Sequence, residues 1–598
     1  MVKPTLYLGC VLFLSAAVCV SSETSRPFIH AGDVVFMYSA NPPSLYDDYQ
    51  CTVSGWGGRS QSREEQAVKS FQARVEEAQR RGIRYCGSVD FLVDFGGFID
   101  FRPDSFTSAI SRDLDGNPLR VPWLWDHTHK GQPAYWFCTN NPEYQQYLRD
   151  QAERACLAPI DGLHIDDYSG SSACSAYNGG CFCPYCLEGF RDYLRDQFSA
   201  ERLKEMGIYD IARFDYAEFL REKGWNAERY KKEHHACPLI GEFQKFQNRQ
   251  MIKRITDVFE HAEKLRGKPL VRSINSSASG NRELIPFPVI DYFCGEVGHH
   301  AAAKQAPMEP IFVYKMVEAL GRRQTATASG QDWAWIKAND KPGLVRMWIA
   351  QTYAFGSVFM APHNQWCYTS ELGTHWWRGK AEDFAYLYQF VRQHHLLLDD
   401  RISLADIALI HSRENHGAIR DAALRMAVAN IPFAIVVAGN DELPVAIDPH
   451  GISGFAHVFV GDKPLGEPHD SVLKSASVHT SQWHGFDQLP DTVKREVQID
   501  GADRICVSLR YHPQHPDAPI VCHLLNQNYD AEKDTILPKD VKITISKRLL
   551  QKTGREPTIT EVILHQPKAE SVGLPVTQAE ESISFEVNEL GLWAIVEF

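Results

Sequence analysis

The sequence lacks any concentrated run of lysine and arginine, and its formal net charge is −13 over 598 residues. Nucleic acids and anionic membranes are bound by clustered positive charge, so the composition argues against both partners. No G-x-G-x-x-G follows the first predicted strand and no H-E-x-x-H occurs, so neither a dinucleotide site nor a zinc hydrolase is indicated. We therefore expect no organic cofactor.

After the N-terminus, no segment reaches the length and apolarity of a membrane helix. Residues 1–22 are typical of a secretory signal peptide, because Lys3 precedes an apolar stretch too short to span a bilayer and small residues lead up to Ser22. We therefore expect a secreted or periplasmic, soluble protein with no membrane partner.

Strands and helices alternate from residue 33 onward, and the apolar segments bounded by turn residues predict eight strands. The predicted strands lie at 33–40, 83–93, 134–142, 160–170, 268–277, 288–298, 322–333 and 357–366. Eight strand–helix units over residues 27–398 predict a (β/α)8 TIM barrel. The alternative is an open doubly wound sheet, which the missing glycine-rich motif disfavours.

The pattern changes after the predicted barrel. Residues 399–498 contain short apolar strands around one clear helix, which predicts a small α/β (flavodoxin-like) domain. In residues 499–598 the helical signal fades and short strands separated by turns predict a C-terminal β-sandwich.

Carboxylates end two of the predicted barrel strands, where barrel active sites lie. Asp166 and Asp167 end strand four, and Glu296 ends strand six. Glycoside hydrolysis needs one carboxylate at the anomeric carbon and one carboxylic acid at the leaving oxygen. We predict Asp167, the last residue before the loop, as the nucleophile and Glu296 as the acid/base. The alternatives are that the aspartates cap the loop and that Glu296 forms a structural ion pair.

Further polar and aromatic residues on the predicted strand-end loops are candidates for binding sugar, because indole rings stack on the C–H faces of sugars. Each of them singly is as consistent with packing as with a ligand. These candidates are Trp56, His299, Asp332, Trp333, His363, Asn364 and Trp366.

Thirteen of the 15 cysteines follow the predicted signal peptide, an odd number that does not indicate a small disulfide scaffold. Cys181, Cys183 and Cys186 have a C-x-C-x-x-C spacing that can supply three thiolates to a structural zinc ion. The fourth ligand is open among Cys138, Cys156 and Cys174. Disulfides are the alternative, because the predicted export reaches an oxidising space.

The segment "CFCPYCLEGFRDYL" resembles the cysteine segment of family 42 glycoside hydrolases, the β-galactosidases with a zinc-bearing TIM barrel. Cys138, which precedes Asn140-Asn141-Pro142, is similar to a further zinc ligand of that family. The resemblance therefore implies a metal set of Cys138, Cys181, Cys183 and Cys186. The domain order is also similar, and the family's trimer-forming domain implies a homo-oligomer through the small α/β domain.

The resemblance fails at the catalytic residues. The family has an Asn-Glu pair on strand four and a nucleophilic Glu after strand seven, whereas this chain has "HIDDYSG" and "TASGQDW". A strand-four aspartate with a strand-six carboxylate looks more like α-galactosidase-type barrels, in which the strand-four aspartate is the nucleophile. We predict a secreted retaining exo-glycosidase that releases an α-linked, galactose- or fucose-like sugar. The alternatives are a β-galactosidase-like enzyme with another carboxylate pair and a non-catalytic carbohydrate-binding barrel.

Overall fold

A computed structural model describes residues 28–92, 95–174, 179–476, 478–554 and 559–598. The predicted signal peptide, residues 1–22, lies outside the described residues. Within these ranges, no helix combines the length and the apolar character needed to cross a membrane.

The first part of the chain forms a nearly closed barrel of eight parallel strands, as predicted. Neighbouring strands pair in sequence order, and the Ala361 N–H donates to the Val35 carbonyl over 2.8 Å, which links the last strand to the first. The strands are β1 (Val35–Phe36), β2 (Val53–Ser54), β3 (Arg84–Asp90), β4 (Gly162–Asp166), β5 (Val271–Ile274), β6 (Tyr292–Val297), β7 (Gln324–Ala328) and β8 (Val358–Phe359).

One predicted barrel strand is wrong, and one barrel strand was not predicted. The predicted number of eight strands is right only because these two errors cancel. Residues 134–142 form no barrel strand; Tyr135 and Phe137 make isolated antiparallel bridges in the excursion after β3. Asn141, at the end of this segment, instead caps the helix Pro142–Ala155 by accepting two backbone N–H bonds. The missed strand is β2, whose two residues are too few for a periodic signal.

Helices surround the barrel and fill its enlarged loops. The longest, Ile240–Arg266, packs against Pro142–Ala155 and covers the outside of the barrel between the ends of β4 and β5. The helices from residue 28 to 398 are Leu45–Asp48, Glu65–Arg80, Phe95–Phe101, Phe106–Ala109, Pro142–Ala155, Ser171–Ala173, Pro184–Gln197, Ala200–Glu205, Tyr216–Glu222, Ala227–Glu233, Ile240–Arg266, Glu309–Ala319, Gly330–Asn339, Pro342–Ala354 and Ala381–Gln393.

Two short antiparallel hairpins belong to the barrel loops. They consist of Thr128–His129 with Gln132–Pro133 and Gln365–Thr369 with Gly373–Trp377. The second hairpin follows β8 directly, so it lies at the end of the barrel that carries the carboxyl ends of the strands.

A four-stranded parallel sheet follows the barrel, in the order Phe433–Val437, Ile407–His411, His457–Val460, Thr480–Gln482. The helices of this part are His416–Val428, Pro449–Ser453, His469–Ser475 and Asp491–Lys494. Parallel strands with helical connections agree with a small α/β unit, while its likeness to flavodoxin stays a prediction.

Two antiparallel sheets end the chain and share an apolar core. The larger takes its first strand, Ile402–Ser403, from before the parallel sheet, so the chain crosses between these parts near residue 404. The predicted boundaries at 398/399 and 498/499 stay predictions. The strands are Ile402–Ser403, Ile505–Tyr511, Val521–Asn526, Trp593–Glu597, Glu561–His565 and Val572–Pro575 in one sheet, Val497–Asp500, Lys539–Ser546, Ser582–Leu590 and Thr577–Gln578 in the other, with a small pair Tyr529–Asp530 and Thr535–Ile536 and a helix Lys547–Gln551.

Candidate active site

Four acidic side chains meet at the carboxyl ends of β3, β4 and β6. Asp90 ends β3 and pairs in register with Asp166, which ends β4, while Glu296 lies one residue before the end of β6. Asp167 follows β4, and its carboxyl lies within the electrostatic reach of the other three. The predicted carboxylates of strands four and six are therefore brought together in the barrel mouth.

Asn275, the residue after β5, joins the two predicted catalytic strands. Its Nδ2 donates to Asp166 Oδ1 over 2.8 Å, and its amide also hydrogen-bonds Glu296. A single amide thus orients both carboxyls. Because Asn275 comes from the strand between β4 and β6, this contact follows directly from the strand order of the barrel.

The backbone separates Asp166 from Asp167. Asp166 is the last residue of the extended strand, whereas Asp167 has a φ of +46°, the left-handed region in which a turn begins. The Asp167 N–H bends back to donate to Asp166 Oδ1 over 2.9 Å. Asp166 shares the interior side of β4 with His164, since alternate strand residues face the same way.

Burial and mutual repulsion raise the pKa values of these acids unequally. Burial raises the pKa of Asp166, but hydrogen bonds from Asn275 and the Asp167 N–H, and the charge of Arg59, oppose the rise. Burial, and secondly the charge of Asp166, raises the pKa of Glu296 to about 7. Two hydrogen bonds therefore support the ionised form of Asp166, beside a Glu296 carboxyl whose pKa keeps part of it protonated near neutral pH.

The surroundings of Asp167 oppose its ionisation. Burial, followed by the charges of Asp166, Asp90 and Glu296, raises the pKa of its carboxyl well above the usual range. A carboxyl that stays protonated is a poor nucleophile, so the electrostatics and the backbone both distinguish Asp167 from Asp166.

Trp56 lies beneath the acids as part of the barrel interior. Its ring stacks on His164 at 4.5 Å between centroids, and its Nε1 donates to Cys294 Sγ over 2.8 Å. His164 in turn bonds Ser273 Oγ through Nδ1 over 3.0 Å. With 6% of its surface exposed, Trp56 forms the floor of the mouth and offers little area to a sugar.

Three predicted sugar-binding residues are occupied by contacts within the protein. Asp332 accepts the N–H of His299 over 2.8 Å and the N–H of Ala301 over 2.7 Å, so both of its oxygens hold the turn after β6. His299 is fully buried against Trp348, and burial lowers its pKa to about 4. Trp333 is buried as well, with its Nε1 on Thr327 Oγ1.

The three predicted residues after β8 are placed differently. His363 is buried, and its Nε2 accepts the Asn41 N–H over 3.4 Å. Asn364 accepts from Arg378 Nε at 3.4 Å through Oδ1. Trp366 lies on the hairpin after β8 and is only partly buried, so it is the member of this group with ring surface available.

Sequence reasoning missed Asp90, Asn275 and Tyr38. Asp90 was hidden because the predicted second strand extended to residue 93, which moved its apparent end past the acid. Asn275 directly follows β5, so the strand-end rule could have found it. Tyr38 follows β1 and interacts electrostatically with Asp166 and Glu296, while the ring of Trp376 lies 5.7 Å from that of Tyr38.

The four cysteines of the predicted metal set come together outside the mouth. The sulfurs of Cys138, Cys181, Cys183 and Cys186 all lie within 4.8 Å of one another and are buried. Cys138 Sγ lies 3.5 Å from Cys186 Sγ and 3.4 Å from Cys183 Sγ. Sulfurs bound to one tetrahedral zinc at about 2.3 Å stand about 3.8 Å apart, whereas a disulfide needs about 2.05 Å, so the group fits a metal better than a bond.

Comparison with known proteins finds no matching family model. The chain is 23% identical over 591 residues to an α-agarase of Thalassotalea agarivorans, with 94% of this chain and 40% of the relative covered. It is also 23% identical over 577 residues to an α-agarase of Alteromonas agarilytica, with 92% and 40% covered. The chain thus spans about two fifths of the length of these relatives, and its relationship to such glycoside hydrolases is distant.

Among solved structures, α-L-fucosidase isoenzyme 2 from Paenibacillus thiaminolyticus is similar, with a TM-score of 0.60 and 12% sequence identity. The match covers 95% of this chain and 99% of that chain. At this identity the likeness is one of fold, and it extends beyond the barrel to the C-terminal sheets. A specific membership of family 42 stays a prediction.

Proposed function

We propose that this chain is a glycoside hydrolase that cleaves an α-glycosidic bond with Asp166 as the nucleophile and Glu296 as the general acid/base. The carrying observation is the placement of Asp166 and Glu296 on either side of the Asn275 amide, with the pKa of Glu296 raised to about 7. A pair of carboxyls whose proton affinities are driven apart is what this reaction requires.

The sequence prediction put the nucleophile at Asp167, and the proposal moves it to Asp166. Asp166 is part of β4 and is held by two hydrogen bonds that oppose the rise of its pKa, whereas Asp167 lies in the left-handed turn. We assign Asp167 and Asp90 to the surroundings of the reacting pair, where Asp90 contributes to the raised pKa of the Asp167 carboxyl.

The reaction proceeds in two displacements at the anomeric carbon. An Asp166 oxygen forms a bond to that carbon while the bond to the leaving oxygen breaks, and Glu296 gives its proton to that oxygen. Glu296, now ionised, takes a proton from water, whose oxygen displaces Asp166 and regenerates its carboxylate. Anomeric configuration is retained because each displacement inverts it.

The name of the two relatives, α-agarase, supports agar as the substrate class and an α-linkage as the bond cleaved. This agrees with the α-linked, galactose-like sugar predicted from the sequence. Because the chain spans about two fifths of those proteins, agar cleavage by this chain alone is part of the proposal.

The test is turnover of agar polysaccharide and of aryl α-galactosides, with the product's anomeric configuration followed by NMR. Asp166→Asn and Glu296→Gln should each lower kcat by at least about 10³-fold, since each group acts in bond cleavage. Asp196→Asn, a change of an exposed surface carboxyl, is the control. No turnover by the wild type would sink the enzyme assignment, and full activity in both active-site variants would sink the residue assignment alone.

We also propose a structural zinc ion held by Cys138, Cys181, Cys183 and Cys186. Four thiolates fill a tetrahedral zinc, so the metal would supply a cross-link and no open position for water. Export through the predicted signal peptide and a homo-oligomer through the small α/β part belong to the same proposal.

A further inference from the structure

The hairpin after β8 carries three aromatic side chains on one face. In its register Trp366 stands opposite Trp376, and Tyr368 stands opposite Thr374. Opposite residues of an antiparallel pair, and residues two apart on one strand, share a face. Trp366, Tyr368 and Trp376 therefore lie on the same face, and the rings of Trp366 and Tyr368 are parallel within 9° at 5.9 Å.

The other face attaches the hairpin to the barrel. Cys367 is buried on that side, and the ring of Trp377 stacks on buried Trp333 at 5.1 Å. Gln365 Oε1 accepts from Thr327 Oγ1 over 2.8 Å, which joins the hairpin to β7. The hairpin is therefore held firmly without any contribution from Trp376.

Two rings of the aromatic face, those of Trp376 and Trp366, contact residues that follow barrel strands at the mouth. The Trp376 ring meets Tyr38 edge-on at 5.7 Å, and Tyr38 follows β1 within reach of the charges of Asp166 and Glu296. Trp366 lies directly on Gly330, just after β7, where a Cβ would stand 2.3 Å from the indole. Trp376 nevertheless keeps 45% of its surface exposed, so its ring is accessible beside the mouth.

We propose that the hairpin face formed by Trp366, Tyr368 and Trp376 stacks the sugar units that continue the substrate chain beyond the cleaved bond. This inference rests on the proposed function, and it deepens that function by making the substrate a saccharide chain rather than a single terminal sugar. Indole and phenol rings bind the C–H faces of sugars through apolar area and a π face together. Trp376, whose ring contacts Tyr38 beside the carboxyls, takes the first of these units.

Binding of oligosaccharides to an inactive variant tests the aromatic face of the hairpin, here called the platform, apart from catalysis. In the full chain carrying Asp166→Asn, isothermal titration with agar oligosaccharides of two, four and six sugar units should show affinity that rises with length. Adding Trp376→Ala should weaken binding of the six-unit chain by about tenfold or more and of the two-unit chain by less than about threefold. Trp376→Phe should restore most of the loss.

Tyr209→Ala is the matched control, since Tyr209 is an aromatic residue with 82% of its surface exposed in the helical insertion after β4. It should leave all affinities unchanged. Length-independent binding, or an unchanged six-unit affinity in Trp376→Ala, would overturn the platform while leaving the hydrolase proposal standing. Failure of every oligosaccharide to bind would overturn both the platform and the agar substrate.

Discussion

Replacing Asn275 by alanine tests whether one amide sets the proton affinities of both catalytic carboxyls. The side chain hydrogen-bonds Asp166 over 2.8 Å and also Glu296, and both bonds favour the ionised forms. Their loss raises both pKa values. A hydrogen bond to a charged group is worth about 1.5–3 kcal/mol, and one pKa unit corresponds to about 1.36 kcal/mol. Each carboxyl loses one such bond, so even the lower figure amounts to about one pH unit for each.

The direction of the expected pH shift follows from the proposed roles of Asp166 and Glu296. Activity needs Asp166 ionised and Glu296 protonated, so kcat/KM for the wild type should rise through the pKa of Asp166 and fall through about pH 7, the pKa of Glu296. In Asn275→Ala both limbs should move to higher pH by about one unit, and kcat should fall about tenfold because Asp166 loses its orientation.

The assay is kcat/KM against pH on a soluble substrate in buffers of constant ionic strength. Asn339→Ala is the control, because that amide donates to the Trp335 carbonyl at an exposed helix end. A loss of activity with both limbs unmoved would show that Asn275 only supports the fold. A shift of the alkaline limb to lower pH would refute the electrostatic reasoning itself.

Two further predictions concern the surroundings of the site. Asp332→Ala leaves the buried N–H groups of His299 and Ala301 unpaired, which costs about 1–3 kcal/mol of unfolding free energy for each group. Calorimetry should therefore show a lower Tm. A raised KM at unchanged Tm would instead favour the sugar-binding role predicted from sequence. In the wild type we expect one zinc ion per chain by plasma mass spectrometry, and Cys181→Ser should abolish it and lower Tm. Cys156→Ser is the control and should keep the metal. If the denatured, chelated wild type has fewer titratable thiols than cysteines, disulfides are present instead.

The barrel could be predicted from the sequence because its longer strands are continuous apolar segments that end at turn residues, as in Gly162–Asp166 and Tyr292–Val297. The two-residue strand Val53–Ser54 could not, since it is held in place by its neighbours rather than by a pattern of its own. The excursion at 134–142 imitated a strand because three consecutive aromatic residues, Tyr135 to Phe137, lie in an extended apolar segment that has no barrel partner.

For the site residues too, one property could be predicted from the sequence and another could not. Position at a strand end is readable from sequence, and it located Asp166, Asp167 and Glu296. The direction of a side chain is not readable. Asp332, in the first turn of the helix after β7, points to a backbone turn, and His299, just after β6, points to Trp348. Likewise, alternation alone could not choose between the two aspartates, because the left-handed backbone at Asp167 breaks the alternation at that residue.

The cysteine group and the carboxylates are connected through the loop that separates them. The Asp167 carbonyl accepts the Gly170 N–H over 3.3 Å, and Gly170, at φ +50°, lies so close to Thr139 that a Cβ would stand 2.6 Å from that side chain. The next residue, Ser171, accepts the Thr139 N–H and donates to Cys138 Sγ over 3.3 Å. Ser171, four residues after Asp167, therefore connects the turn beside Asp166 to the Cys138 thiol. The proposed metal ion, held by four cysteines, would influence catalysis without touching substrate, because it would fix the far side of the turn whose near side carries Asp166.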